Sequence, residues 1–194
     1  MTAATEREML DLLHKRFGQK SYNGGIEAPR YICAEHVRTR AGFYCREIDF
    51  VAVETWESSM RAGTLTIHGA EVKVSRSDWL RELKDPHKTA ETMEYATHCW
   101  LAVPDLTVAR PEELPDGWGL LHIVGSRGLV AKVTARRRAV DPLSPSATAG
   151  LLRAAAKTAA TWTRPETYRV GESRSATVQE SVAGDALFGL EASA

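Results

Sequence analysis

Neither sign of charge dominates this sequence: lysine plus arginine and aspartate plus glutamate number 25 each. A protein that coats a polyanion carries surplus basic charge, so the balance argues against that role. It leaves room for a site that gathers acids for a cation beside bases for phosphate. Cysteine is scarce, with Cys33, Cys45 and Cys99 only, and an odd number at these spacings matches no disulfide framework. No apolar run approaches the roughly 18 residues that span a bilayer. The first residues, MTAATEREML, lack a basic stretch leading into an apolar one. Together these absences predict a soluble, cytoplasmic protein without a membrane partner. No phosphate-binding loop, no nucleophile elbow and no internal repeat is visible.

What is present is enough apolar residue, 43% of the chain, for a globular core. The spacing of Met9, Leu10, Leu13 and Phe17 predicts a helix over 5–17, opened by Thr5-x-x-Glu8 and stopped by Gly18. Residues 21–29 read as a loop. Strands are expected at 30–38, 43–56, 64–75 and 98–103, with helical segments starting after Ser75 and again over about 87–97. Residues 118–124 and 129–137 read as a hairpin, and 146–162 as an alanine-rich helix capped by Ser146. This order predicts an α/β fold, a mixed central sheet flanked by helices with an added C-terminal hairpin and helix. The expected divisions are a domain over 1–140, a linker and helix over 141–170, and a disordered tail over 171–194.

The chemistry concentrates in two of the strands. Along 43–56, Ile48, Phe50 and Ala52 share one face and Asp49, Val51 and Val53 the other, so Asp49 is a lone carboxylate in an apolar run. Along 64–75, Glu71 and Lys73 leave the same face, roughly 7 Å apart at Cα. If these strands pair, two carboxylates and an ammonium converge. Mg2+ or Mn2+ takes hard oxygen ligands of this kind together with water and phosphate. Lys73 beside the attacking water would orient it and offset charge in the transition state. The same Glu-x-Lys pattern also forms plain salt bridges on sheet surfaces. Yet burying unpaired ions mid-strand costs several kcal/mol each (roughly 20 by idealised Born solvation), which favours a functional reason for them.

The stretches 46–52 (REIDFVA), 69–80 (GAEVKVSRSDWL), 82–88 (ELKDPHK), 100–104 (WLAVP) and 112–120 (EELPDGWGL), with Tyr95, resemble the MmcB-like branch of the PD-(D/E)xK nuclease superfamily. The similarity covers about residues 30–138. It departs at Ile48, where alanine is usual. The resemblance implies a restriction-endonuclease-like fold and a metal-dependent hydrolysis of DNA phosphodiester bonds, leaving a 5′-phosphate and a 3′-hydroxyl. It also implies a role in DNA repair or processing, and brings in phage and bacterial look-alikes. It assigns catalysis to Asp49, Glu71 and Lys73. The rival reading is a catalytically inactive module of the same fold that binds DNA or protein.

A third acid often completes such sites. Glu35 is the expected third metal ligand beside Asp49 and Glu71, with Glu8 as the alternative. Ser75 and Asp78 are expected to cap the following helix; with Lys88 they could also support the site. Arg76, Arg81 and Lys84 are the expected phosphate contacts, against the plainer reading of a solvated helix face. Arg136, Arg137 and Arg138 form the compact basic cluster, either gripping a DNA backbone or simply solvated. Zinc at Cys33-x-x-His36 lacks a standard spacing. A homodimer would suit the fold.

Overall fold

The computed structural model describes residues 4–18, 20–23, 26–38, 47–56, 65–85 and 93–161. Helix α1 (Glu6–Phe17) opens on a full capping box: Thr5 accepts from the Glu8 N–H, and the Glu8 carboxylate takes the Thr5 N–H at 2.7 Å. Its apolar stripe, Met9, Leu10, Leu13 and Phe17, is buried. Strands β1 (Lys20–Asn23) and β2 (Ile26–Pro29) pair antiparallel, so the segment read as a loop is a small hairpin. Asn-Gly-Gly at its tip is turn chemistry, and it joins strands too short to show an alternation.

Six strands make the main sheet in sequential order: β3 (Tyr31–Arg38), β4 (Glu47–Glu54), β5 (Ile67–Val72), β6 (His98–Val103), β7 (Gly119–Ile123) and β8 (Leu129–Val133). β3 with β4 and β4 with β5 pair antiparallel, β5, β6 and β7 are mutually parallel, and β8 returns antiparallel to β7. The fold is therefore the expected mixed α/β sheet flanked by helices, with a hairpin and a helix added at the C-terminal side.

The sheet carries a core on each face. On one, α1 packs its stripe over Phe50, Ala52, Ala70, Val72, Trp100 and Ala102. On the other, Val51, Val53, Ile67, Leu101 and Val103 meet Trp79, Met93 and Val108. Gly119 permits this density, because a Cβ there would collide with the Trp100 ring and the Ala135 backbone nitrogen. Helix α2 (Arg76–Glu82) follows β5 almost at once.

Helix α3 (Pro145–Thr161) starts one residue earlier than expected, and its cap is Ser144, not Ser146. The Ser144 hydroxyl accepts from Ala147 N at 3.1 Å, which leaves Pro145 at the first helical position, where its missing N–H costs nothing. α3 buries Ala147, Gly150, Ala154 and Thr158, and Thr158 Oγ1 accepts the Glu35 backbone N–H at 2.9 Å. It thus lies along β3, the outer strand of the sheet, and takes up backbone hydrogen bonding there. One compact unit reaches to Thr161 and so includes α3; the expected division near residue 140 falls inside it, and 162–194, including the expected tail, lies outside the described residues. Among the described residues, no helix is long and apolar enough to cross a membrane.

Candidate metal centre

The β4–β5 ladder pairs Phe50 with Ala70. Asp49 and Glu71 lie just past that last pair, and the alternation slips at Asp49, since Ile48 packs with Val51 and Val53 on one face while Phe50 and Ala52 pack on the other. Here the strands part. The Val72 N–H, which faces β4, donates to Asp49 Oδ2 at 2.8 Å in place of a ladder carbonyl. That bond fixes one carboxylate oxygen at the strand fork.

Glu71 is the penultimate residue of β5 and is 7% exposed. Burial, and then the charge of Asp49, push its carboxyl up to about 8, against the pull of Lys73. Lys73 lies just beyond the strand, but its N–H still bonds Ala102 of β6 at 3.0 Å, so the residue is held in register. Nζ sits 3.3 Å from Glu71 Oε2 and 3.7 Å from Glu82 Oε2. Burial would lower this ammonium, but Glu71, Asp49 and Glu82 outweigh it and hold it raised. The structure therefore brings Asp49, Glu71 and Lys73 together, and adds Glu82 from α2, which sequence reasoning missed.

Glu35 does not join them. It pairs across the ladder with Phe50 and so lies on the α1 side of the sheet. Its carboxylate takes two N–H bonds from Arg7, at 2.6 and 2.7 Å, and one contact from His14 Nε2 at 2.7 Å. Burial alone would raise it, but Arg7 and His14 hold it down, to about 2. As a metal ligand beside Glu71 it is corrected: it anchors α1 to β3. The sequence carried a hint, since Arg7 and His14 are two helical turns apart and share a helix face.

The ligand atoms that do lie near Asp49 belong to Glu6 of α1 and His36 of β3. One from each of the three falls within 4.8 Å of the others. Glu8, the alternative third acid, is spent on the helix cap. His36 has φ of 52°, in the left-handed region that side chains rarely adopt, and its Nδ1 meets Glu47 Oε1 at 3.0 Å. Zinc shared with Cys33 gains no support, because among the described residues the group of ligand atoms that includes His36 takes Glu6 and Asp49 and not Cys33.

The expected supporting residues fall into structural roles. Ser75 Oγ caps α2 by accepting from Asp78 N at 3.2 Å. The Asp78 carboxylate pairs with Arg81, so Glu82 rather than Asp78 reaches Lys73. Arg76 clamps Glu113, which also accepts from Trp79 Nε1 at 3.1 Å; this brace ties α2 to the loop after β6 and leaves Arg76 poorly placed as a phosphate contact. Lys84 is exposed, as is Arg81 despite its pairing. Lys88 lies outside the described residues.

No family model matches the chain, and no curated protein matches it. Among solved structures, the chain is similar to the SPO1766 protein of Silicibacter pomeroyi, described as a protein of unknown function. The two are 18% identical with a TM-score of 0.46, over 78% of this chain and 86% of that one.

Proposed function

We propose that this protein is a metal-dependent nuclease of the PD-(D/E)xK type that hydrolyses DNA phosphodiester bonds, in a cytoplasmic repair or processing role. The observation that carries the reading is the strand fork. There Asp49 is fixed by the Val72 N–H, Glu71 and Lys73 stand on the adjoining strand, and Glu6 and His36 offer ligand atoms within 4.8 Å of Asp49. The donor set fits a divalent cation. Ligand distances of about 2.0–2.2 Å place two ligands of one ion up to ~4.4 Å apart, so ligand atoms within 4.8 Å of one another reach one ion with a small inward adjustment. An imidazole beside two carboxylates favours Mn2+ over Mg2+, which prefers an all-oxygen set. When bound, such a cation polarises phosphoryl oxygens and acidifies water.

The chain's own groups have separable tasks. Asp49, Glu6 and His36 would hold the cation, and Glu71, which stands outside that group of ligand atoms, keeps its 3.3 Å contact with Lys73 Nζ. Lys73, kept positive by three acids, orients water and offsets charge growing on the phosphorus centre. The experiment incubates purified protein with Mn2+ and single-stranded, double-stranded or branched DNA. Cleavage lost in both Asp49→Ala and Lys73→Ala, with folded variants, is the expected result; intact DNA in every case overturns the reading.

A second reading, a nuclease-fold module that binds DNA or protein without cutting, is favoured by one observation. The cations around the fork are committed to acids: Lys73 to Glu71 and Glu82, Arg76 to Glu113, Arg81 to Asp78. Mn2+ binding separates the two, since a relic should bind no cation and show no change with Asp49→Ala.

A further inference from the structure

Away from the fork, the segment after β8 crosses the starts of the parallel strands. Arg136 N–H bonds the Gly117 carbonyl at 2.9 Å, and Arg138 N–H bonds the Thr97 carbonyl at 2.9 Å. This crossing sets three successive arginines around a cavity of about 220 Å³, which Asp116, Gly117 and Trp118 help to line. Glu71 and Lys73 lie at the other end of the parallel strands, beside Leu101 and Ala102.

The cavity is strongly cationic. Asp116, the acid on its lining, pairs with Arg136, and both side chains are largely exposed, at 96% and 69%, so the uncompensated charge comes from Arg137 and Arg138. The Cys99 thiol on its wall adds no charge, because burial pushes it up to about 11. Arg138 is committed to structure, giving N–H bonds to the carbonyls of Ala96 and Met93. Arg137 gives one N–H to Thr66 Oγ1 at 2.9 Å, and Arg136 gives one to Asp116. Each guanidinium carries five donors, so most have no partner among the described residues. With Arg136 paired to Asp116, the guanidiniums of Arg137 and Arg138 are left without an acid among the described residues, and an anion entering the recess would relieve their repulsion. The planar fork of arginine matches phosphate oxygens two at a time. The volume is below the roughly 300–1,000 Å³ of sites for drug-sized ligands, and suits one phosphate group with a short attachment.

We propose that this cavity is a phosphate-binding site, with Arg137 and Arg136 as the gripping residues and Arg138 as the strut that holds the segment in place. The source of the phosphate is either a free phosphate or a nucleic-acid strand. The site does not depend on the fork being catalytic.

The test is calorimetric titration of the full chain in EDTA, where a metal-dependent cleavage cannot interfere. The probes are inorganic phosphate, a 5′-phosphorylated oligonucleotide and its 5′-hydroxyl twin. Arg137→Ala and Arg136→Ala should each weaken binding by at least about tenfold. Arg137→Lys, which keeps the charge and loses the fork, should fall between. Arg153→Ala, an exposed change on α3, should bind as the parent protein does. Binding of inorganic phosphate with this pattern supports a site for free phosphate. Arginine-dependent preference for the phosphorylated oligonucleotide supports a strand terminus, and equal arginine-dependent binding of both oligonucleotides supports an internal phosphate. Absence of binding by all three probes, or equal loss in Arg153→Ala and Arg137→Ala, overturns the proposal. Asp49→Ala should bind normally, so failure here and failure of the nuclease reading are told apart.

Discussion

Removing the Lys73 ammonium should cost little stability in mild acid and considerably more in alkali. Breaking a buried ion pair by deleting one partner costs roughly 3–5 kcal/mol, because the remaining charge is stranded. That figure holds only while the remaining carboxyl is ionised. Glu71 is raised to about 8, so without metal it is mostly protonated below about pH 7. There, Lys73→Ala removes one 3.3 Å hydrogen bond to Glu71, worth about 1 kcal/mol, together with the 3.7 Å pairing to Glu82, which is lost at either pH. An acid raised on folding keeps its proton after the unfolded chain has lost it. The parent protein therefore loses stability itself as pH climbs from roughly 4.5 through 8. Without Nζ, Glu71 moves higher still, and each further unit costs ~1.4 kcal/mol once pH exceeds both values. The gap between variant and parent should widen by roughly 2 kcal/mol between pH 6 and pH 10. Urea unfolding in EDTA, followed by circular dichroism, measures it. A gap of equal size at both pH values would refute the picture of a protonated Glu71 leaning on Lys73.

Other expectations follow from the same geometry. Mn2+ should raise the melting temperature of the parent protein and do so less in Asp49→Ala and His36→Ala, while Glu35→Gln lowers stability without changing the response to metal; thermal melts with and without Mn2+ decide this. His68 is lowered to about 3 by burial, with His98 and three arginines adding to it. A base lowered on folding leaves stability intact above the unfolded value near 6.5 and erodes it as pH falls toward 3, at ~1.4 kcal/mol per unit. His68→Asn, which keeps an acceptor near the place where Nδ1 takes the Trp100 N–H, should flatten that acid limb in denaturation curves. Gly119→Ala should destabilise by about 1–3 kcal/mol or more, since the added methyl meets a tryptophan ring and backbone, and its melting curve would expose a smaller cost.

Much of the site's own strand geometry was legible beforehand, and the reason is local. Period-2 alternation put Glu71 and Lys73 on one side of β5, where Nζ and Oε2 meet at 3.3 Å, but it also put Ile48 with Phe50 and Ala52, whereas Ile48 packs with Val51 and Val53, because the alternation slips at Asp49. Helix caps followed the same logic at Thr5 and Ser75, and failed at Ser146 because the proline just before it takes the first helical position. What was illegible depended on distant partners. Glu35 looked like a ligand until Arg7 and His14, 28 and 21 residues away, took its oxygens. Arg76 looked like a phosphate contact until Glu113, 37 residues on, matched its fork. Glu6 and His36 reach Asp49 only because α1 crosses the sheet with its first turn at the fork, and no spacing in the chain encodes that crossing.

The helix laid along β3 has a consequence for handling the protein. β3 ends the sheet, and Ile32 on it is 47% exposed, so a chain cut near residue 141 would present a bare apolar strand rim. Such rims template stacking of one copy on the next, and the shortened chain should form fibrillar precipitates at concentrations where the longer one stays dispersed. Thr158, by receiving a backbone amide of that rim, makes α3 a guard against self-assembly as much as a part of the core.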